Sequence, residues 1–545
     1  MAEREDELRR IGRDVFGWDE LHRGIAEAAA AVASGRDVLA VMPTGYGKSG
    51  VYELAGVALG RVTVVVSPLI ALQADQLAHL EEAGLGAVQL NSAQGARAVR
   101  RGWKLIADSA GARPVFVLLS PEQLADDEVT SRLSEAGVGL VAVDEAQCVS
   151  LWGDDFRPDY GALRERIKAI GRPPVVALTA TGSPPVREDI VDRLGLSDPL
   201  VVARGFDRPN LRLEVVRHEA DAEKRAAVVE QVAGLDGPGL VYVATRRDAL
   251  RYAEELAGRG IRAVGYHGSL PAGRRREVHE AFTAGETDVV VATSAFGMGI
   301  DKADVRFVVH ADVPGSPDLY YQEIGRAGRD GEPALACLHY RPEDFALTRF
   351  FNGGLPDTEP LERLLGAMAE GATSRTALAR ALAVSPRSLE RRLRLLEEAG
   401  AIEPRSRGYR RTAMGTRDAV EQAVEVARRR QRIDATRLEM MRALAETLGC
   451  RRQELLAYFG EELPEPCGNC DTCSSGTAYE RDDEGADASA APFRLHEDVE
   501  HEQWGHGVVM RVERDRVTVY FDDEGYKVLS VPDAEEKGIL RRAFF

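Results

Sequence analysis

Ten short apolar runs set the possibilities for this chain. DVLAVM, RVTVVVSP, VFVLLSP, LVAVDEA and PVVALTA fall between residues 37 and 180, and GLVYVAT, IRAVGYHG, DVVVATSA, VRFVVHAD and ACLHY fall between 239 and 340. Each is valine-rich or nearly continuous in apolar residues, and a stretch long enough for a helix separates most of them. A strand that is apolar on both faces must be covered on both faces, the condition of a parallel sheet with helices above and below it. The pattern predicts an α/β chain with two parallel-sheet units in tandem, meeting near Gly205–Pro209. In such sheets ligands bind at the carboxyl ends of the strands, and every motif discussed next falls there.

At 545 residues the chain exceeds one core and divides into roughly three to five domains of about 100–150 residues each. The expected boundaries are 1–204 and 205–345 for the two sheets, 346–415 for a winged-helix-like unit and 416–475 for a helical metal-binding unit. Residues 476–492, small and acidic without periodicity, are expected to be a linker, and 493–545, with alternating short strands and turn signals, a small β-barrel. With 44% hydrophobic and 29% charged residues the composition is that of a globular protein. No apolar run approaches the ~20 residues of a membrane span, and the first ten residues lack the apolar segment of a signal peptide. No membrane partner and a cytoplasmic location are expected.

MPTGYGKS, Met42 to Ser49, follows an apolar strand and precedes a helical pattern, the context of a phosphate-binding loop. Thr44, Gly45, Tyr46 and Gly47 form its turn, Lys48 reaches the β- and γ-phosphates, and the Ser49 hydroxyl ligates Mg²⁺. Met42 stands where that loop pattern begins with glycine, so the string by itself is also compatible with an ordinary Gly-rich βα turn. Asp144 and Glu145, about 95 residues on at another strand end, decide between them. An aspartate there holds Mg²⁺ through its water shell, and the glutamate orients and deprotonates the attacking water. In YYQEIGRAGRD, Gln322, Arg326 and Arg329 are placed to face a neighbouring nucleotide, where guanidinium groups stabilise charge developing on the γ-phosphate.

These strings, with VVVSPLIALQADQ, VDEAQCVSLWGDDFRPDY, ALTAT, YHGSL and VVATSAFGMGIDKADVRFVVHADVP, resemble in order and spacing the motifs of the RecQ DNA helicases of superfamily 2. The resemblance covers about residues 12–345 and resumes at 450–473. It implies two tandem RecA-like domains, ATP as fuel with Mg²⁺, and 3′→5′ translocation on single-stranded DNA with unwinding of duplex DNA in repair or recombination. It also implies that the loop SLWGDDFRP, with Trp152, Phe156 and Arg157, senses DNA and signals the ATP site. Two residues depart from the pattern. Ile25 occupies the place of a glutamine that grips adenine, so base discrimination should weaken. Gln147 occupies the place of a histidine; its amide donates and accepts hydrogen bonds but does not titrate, and it is expected to relay DNA contact to the ATP site.

Cys450 and Cys467-x₂-Cys470-x₂-Cys473 have the ligand count and spacing of a closed, structural Zn²⁺ site. Between it and the second sheet, residues 374–412 hold ten arginines and four glutamates, a net charge of +6 in a chain of −18. Their cadence is that of a winged helix, with a turn at Ala383–Pro386, and arginine gathered on its recognition helix, Arg387, Arg391 and Arg392 among them, is a footprint for DNA phosphates. In the RecQ pattern a winged helix follows the zinc element; here it precedes it. The terminal strands resemble the Tudor-like barrel of UvrD/PcrA-type helicases, which implies RNA polymerase as a protein partner, and the acidic Asp522–Glu524 favours protein over DNA there. Two other functions share this core: a nucleotide-gated DNA-binding regulator without unwinding, and an RNA helicase.

Overall fold

The computed structural model describes residues 2–543 except 23, 44, 69, 91–93, 110–112, 151–157, 204, 298–301, 352–353, 406–407, 481–491, 513–515 and 537. The first lobe is a seven-stranded, all-parallel sheet of β1 (Val38–Val41), β2 (Val62–Val66), β3 (Gly86–Leu90), β4 (Val115–Leu119), β5 (Val138–Val143), β6 (Val175–Thr179) and β7 (Leu200–Ala203). Their order across the sheet is β3-β4-β2-β5-β6-β1-β7. The middle strands are buried on both faces, as their unbroken apolar runs require. The second lobe orders β8 (Leu211–Arg217), β9 (Gly239–Tyr242), β10 (Ala263–Tyr266), β11 (Val289–Ala292), β12 (Phe307–His310) and β13 (Ala334–Tyr340) as β10-β11-β9-β12-β13-β8, again all parallel.

Helices Thr358–Ala369, Arg375–Leu382 and Pro386–Glu398, followed by the hairpin β14 (Ile402–Arg405) and β15 (Gly408–Arg411), give the expected winged-helix layout around a core of their own. Ser385 caps the third helix and Pro386 occupies its first turn, which fixes the turn where the sequence places it. The helical unit expected over 416–475 begins with two helices, Thr416–Glu446 and Arg451–Tyr458, because the chain breaks at Thr447–Cys450. The break makes Cys450 the residue preceding the second helix and aims it at the other cysteines. Within the expected linker, Thr477–Glu480 is a short helical turn and 481–491 lie outside the described residues. The terminal module orders β16 (Asp498–His501), β17 (Gly505–Val512), β18 (Arg516–Phe521), β19 (Gly525–Ser530) and β20 (Leu540–Arg542) as β19-β18-β17-β16-β20, antiparallel throughout, around Val499, Val509, Val517, Val519 and Phe521.

Two junctions position these parts. The turn ending helix Arg451–Tyr458 stacks Phe459 on Phe206 in the crossover between lobes, with ring centroids 4.7 Å apart and planes 5° from parallel, and packs it on Tyr321 of the second lobe at 4.9 Å. The same turn accepts a hydrogen bond from the first lobe, Arg187 Nη2 to the Phe459 carbonyl at 2.8 Å. At the second junction the acidic turn of the terminal module is held by helix Thr416–Glu446. Arg429 donates to the Asp522 carbonyl at 3.0 Å and pairs with the Asp523 carboxylate at 2.8 Å, and Arg432 donates to the Asp523 carbonyl at 3.2 Å and lies 3.5 Å from Glu524. The acidity read from sequence as a feature for a protein partner is thus engaged within the chain.

Candidate active site

A cleft of about 600 Å³ lies between the lobes, lined by Lys48, Ser49, Asp144 and Glu145 of the first and by Gly297, Gln322, Arg326 and Arg329 of the second. The loop between β1 and helix Gly50–Leu59 turns through Gly45 and Gly47, with φ of +82° and +76°, values that a side chain strains against. A Cβ on Gly45 would meet Arg329 Cγ at 3.2 Å, so the glycine also lets the second lobe's arginine lie across the loop. The Tyr46 ring does not line the cleft. It stacks on His22 at 4.6 Å and packs against Gly205.

Glu145 stands at the centre. Its backbone is left-handed, φ +49°, an unfavourable conformation for a residue with a side chain and one that recurs at functional sites. Lys48 Nζ lies 3.5 Å from Oε1, and the Gln147 amide nitrogen donates to Oε2 at 2.7 Å. The other end of that amide is also used: the Thr179 hydroxyl lies 2.6 Å from Gln147 Oε1 and 2.5 Å from the Thr181 carbonyl, sharing its single proton between them. Asp144 accepts from Gln76 Nε2 at 3.1 Å and from the Glu145 N–H at 3.0 Å. Burial alone would raise both carboxyls. For Glu145 the Lys48 charge and the Gln147 hydrogen bond outweigh it and hold the group below its ordinary value. For Asp144 burial prevails, helped by the neighbouring Glu145 charge, and the group is raised.

Arg326 is 4% exposed. Its Nε is buried without a hydrogen-bond partner among the described residues, and its charge acts on Glu145 across the cleft. Gln322 is half-buried on the same wall. Thr44, Trp152, Phe156 and Arg157 lie outside the described residues, as does the side chain of Arg387. The structure adds Gln76 and Thr179 to the site. Both stand in strings that carried the family resemblance, LIALQADQ and ALTAT, but single residues give no sign of reaching a carboxylate far along the chain.

The four cysteine sulfurs lie within 4.8 Å of one another, Cys467 and Cys473 being 3.9 Å apart. A tetrahedron of thiolates around zinc has edges of about 3.8 Å, given ~2.3 Å Zn–S bonds. The donor set therefore fits that ion. Backbone N–H groups of Cys467 and Asn469 donate to Cys450 and Cys467 sulfurs at 3.3 Å each, as suits thiolates. The cluster is riveted to the exposed edge of the second sheet. Asn469 Nδ2 donates to the Pro209 carbonyl at 3.0 Å and Arg452 Nη2 to the Leu211 carbonyl at 2.5 Å, while Asp471, paired with Arg451, accepts from the Val215 N–H at 3.3 Å. It covers β8, an edge that would otherwise offer unpaired backbone groups.

Within the winged-helix-like unit part of the positive charge is neutralised internally: Arg375 pairs with Glu390, Arg405 and Arg410 with Glu403, and Arg430 of the next helix with Glu398. Arg391 is exposed and Arg392 half-buried, with no carboxylate partner among the described residues.

Three family profiles match this chain: DEAD/DEAH box helicase over residues 24–190, helicase conserved C-terminal domain over 223–331, and RecQ zinc-binding over 411–474. The probable ATP-dependent DNA helicase RecS of Bacillus subtilis is 35% identical over 462 residues, covering 84% of this chain and 90% of the relative. The ATP-dependent DNA helicase RecQ of Pasteurella multocida is 34% identical over 460 residues, 84% of this chain and 61% of the relative. Among solved structures, the helicase MrfA bound to DNA has a TM-score of 0.52 and 18% identity over 76% of this chain and 63% of its own, a likeness of fold. Two parallel-sheet lobes with a shared cleft, a four-cysteine element at the lobe edge and a relative matched over nine-tenths of its length place the chain in the RecQ-type helicases of superfamily 2.

Proposed function

We propose that this chain is an ATP-dependent DNA helicase that translocates 3′→5′ and unwinds duplex DNA in repair or recombination. The observation that carries the reading is the placement of Glu145 between Lys48 of the phosphate loop and Gln147, facing Arg326 of the other lobe. A nucleotide in that cleft brings its γ-phosphate between the lobes, so hydrolysis and lobe closure are one event. Lys48 binds phosphate, Glu145 orients the attacking water, and Gln322, Arg326 and Arg329 stabilise the transition state from the second lobe. Ser49 and Asp144 would hold Mg²⁺, which supplies charge neutralisation between the phosphates and keeps Asp144 ionised.

Zinc in the Cys450, Cys467, Cys470 and Cys473 cluster is structural in this reading, because all four positions are filled by protein. No helix among the described residues is long and apolar enough to cross a membrane. A protein partner of the terminal module, RNA polymerase by its resemblance, would have to use a surface other than the acidic turn already held by Arg429 and Arg432.

The test is strand displacement on forked, 3′-tailed, 5′-tailed and gapped duplexes with Mg²⁺ and ATP. Unwinding of the 3′-tailed duplex, absent in Glu145→Gln, is the expected result. ATP hydrolysis without displacement on any substrate would make the chain a nucleotide-gated DNA-binding protein instead.

A further inference from the structure

Reading the cleft as a nucleotide site leaves the base without an assigned partner. A base is distinguished by hydrogen bonds at its edge, and Ile25, at the head of helix Ile25–Ala33, is apolar and 3% exposed. A second side chain reaches the same wall. Glu53 lies in the helix Gly50–Leu59 that leaves the phosphate loop, and it lines the cleft together with Trp18, Ile25 and His79 although it is 2% exposed.

Trp18, Ile25 and His79 surround Glu53 on this wall of the cleft. Trp18 and Ile25 close over the first turn of its helix, where a Cβ on Gly50 would meet Trp18 at 3.3 Å and Ile25 at 3.6 Å. The Trp18 and His79 rings are 10° from parallel with centroids 6.3 Å apart. His79 Nε2 lies 3.8 Å from Glu53 Oε2, and no hydrogen bond holds the Glu53 carboxyl among the described residues. Its neighbours Tyr52 and Leu54 are fully buried core residues, and the His79 imidazole on the cleft side is the one charged group within ion-pair distance of it among the described residues.

We infer that Glu53 reads the purine edge in this chain, taking the part that Ile25 cannot play. Adenine presents an amino donor beside a ring-nitrogen acceptor, the pattern that a side-chain amide matches with one acceptor and one donor. A neutral carboxyl offers the same pair, C=O and O–H. The ionised carboxylate would likewise accept from the adenine amino group, so the preference does not depend on which state is present. Guanine presents two acceptors on the corresponding edge, which one O–H cannot satisfy. The ligand class is therefore an adenine nucleotide, selected through Glu53 with Trp18 as the apolar wall.

The inference rests on the nucleotide reading, and binding measurements on the full chain separate the two. Calorimetric titration with the non-hydrolysable imido analogues of ATP and GTP should give at least about tenfold tighter binding of the adenine analogue, roughly the worth of one well-placed hydrogen bond. Glu53→Gln should keep that ratio, and Glu53→Leu should bring it close to one. A purine riboside triphosphate lacking the 6-amino group should bind the wild-type chain about tenfold more weakly than ATP, a readout that needs no variant to fold. Equal binding of adenine and guanine analogues by the wild type overturns the assignment. So does an equal loss for both in Glu53→Leu, or full affinity for the analogue without the amino group. If the wild type binds no nucleotide at all, the nucleotide reading falls and this one with it.

Discussion

At the scale of single residues, the question posed by glutamine in place of histidine has a geometric answer. Gln147 gives its N–H to Glu145 and turns its carbonyl to Thr179, so it joins that carboxylate to the end of β6 in the same lobe. Removing the amide releases both. Gln147→Ala should therefore lower the basal ATPase rate a few-fold and the DNA-stimulated rate by about tenfold or more, the loss of a charge-assisted hydrogen bond. Steady-state hydrolysis with and without single-stranded DNA measures this, and equal losses would reduce Gln147 to orienting Glu145. Glu145→Gln should cost about 10²–10⁴-fold in both conditions, the usual reach of general-base catalysis. A different residue governs acid stability. Asp37 is 5% exposed; burial would raise it, but the Arg172 ion pair and the N–H groups of Ser197 and Val175 hold it below its ordinary value. Its contribution is complete above the unfolded-state value near 3.9 and is lost as pH falls through the lower folded value. Asp37→Ala, which strands buried donors, should lower unfolding stability near neutral pH by about 3 kcal/mol in denaturant titration, with a smaller difference in acid.

Strands in the middle of the sheets were the most legible elements. Every run that filled the middle of a sheet announced itself by apolar continuity. The strands without such a signal, β3, β7 and β8, all lie at sheet edges. β8, LRLEVVR, alternates because one side is half-covered, and β7 keeps an exposed valine, so neither resembles a strand buried on both faces. For the same reason the cleft carboxylates, the glycine-rich loop and the cysteine cluster could be found as strings, whereas Glu53, Gln76 and Thr179 could not. Their meaning arises from which helix or strand lies opposite. The zinc element belongs to this scale too. Cys470→Ser should lower zinc content and thermal stability, since metal binding and folding of such elements are one free energy. Metal analysis with a melting curve decides, and a fully folded chain without zinc would refute the site. In the winged-helix-like unit, Arg391→Ala with Arg392→Ala should weaken DNA binding and reduce the salt slope by up to about two units, one for each phosphate that an arginine no longer neutralises. Fluorescence anisotropy across a salt series reads this, and an unchanged slope would leave the unit a packing role.

For the whole molecule, the terminal module is fastened by charge. Like-charge replacement at both arginines, Arg429→Glu with Arg432→Glu, should release it and enlarge the radius of gyration measured by X-ray scattering. Adding Asp523→Lys and Glu524→Lys should restore the compact form, since the pairs would be re-formed with signs exchanged. An unchanged scattering profile in the first variant would assign the docking to the remaining contacts, the Arg511–Glu454 ion pair and the Tyr526–Tyr458 ring contact.

The stacking of Phe459 on Phe206 has a mechanical corollary. The polypeptide passes between the lobes beside Phe206, and the zinc-bearing platform grips that passage from outside while Arg187 ties the same corner to the first lobe. Two bodies fastened at one corner swing; they do not glide apart. Displacement then grows with distance from the corner, as along a door, and the nucleotide's energy is delivered as an arc. Dyes placed across the far ends of the lobes should change separation on nucleotide binding, while a pair flanking Phe206 and Phe459 should keep its distance throughout the cycle.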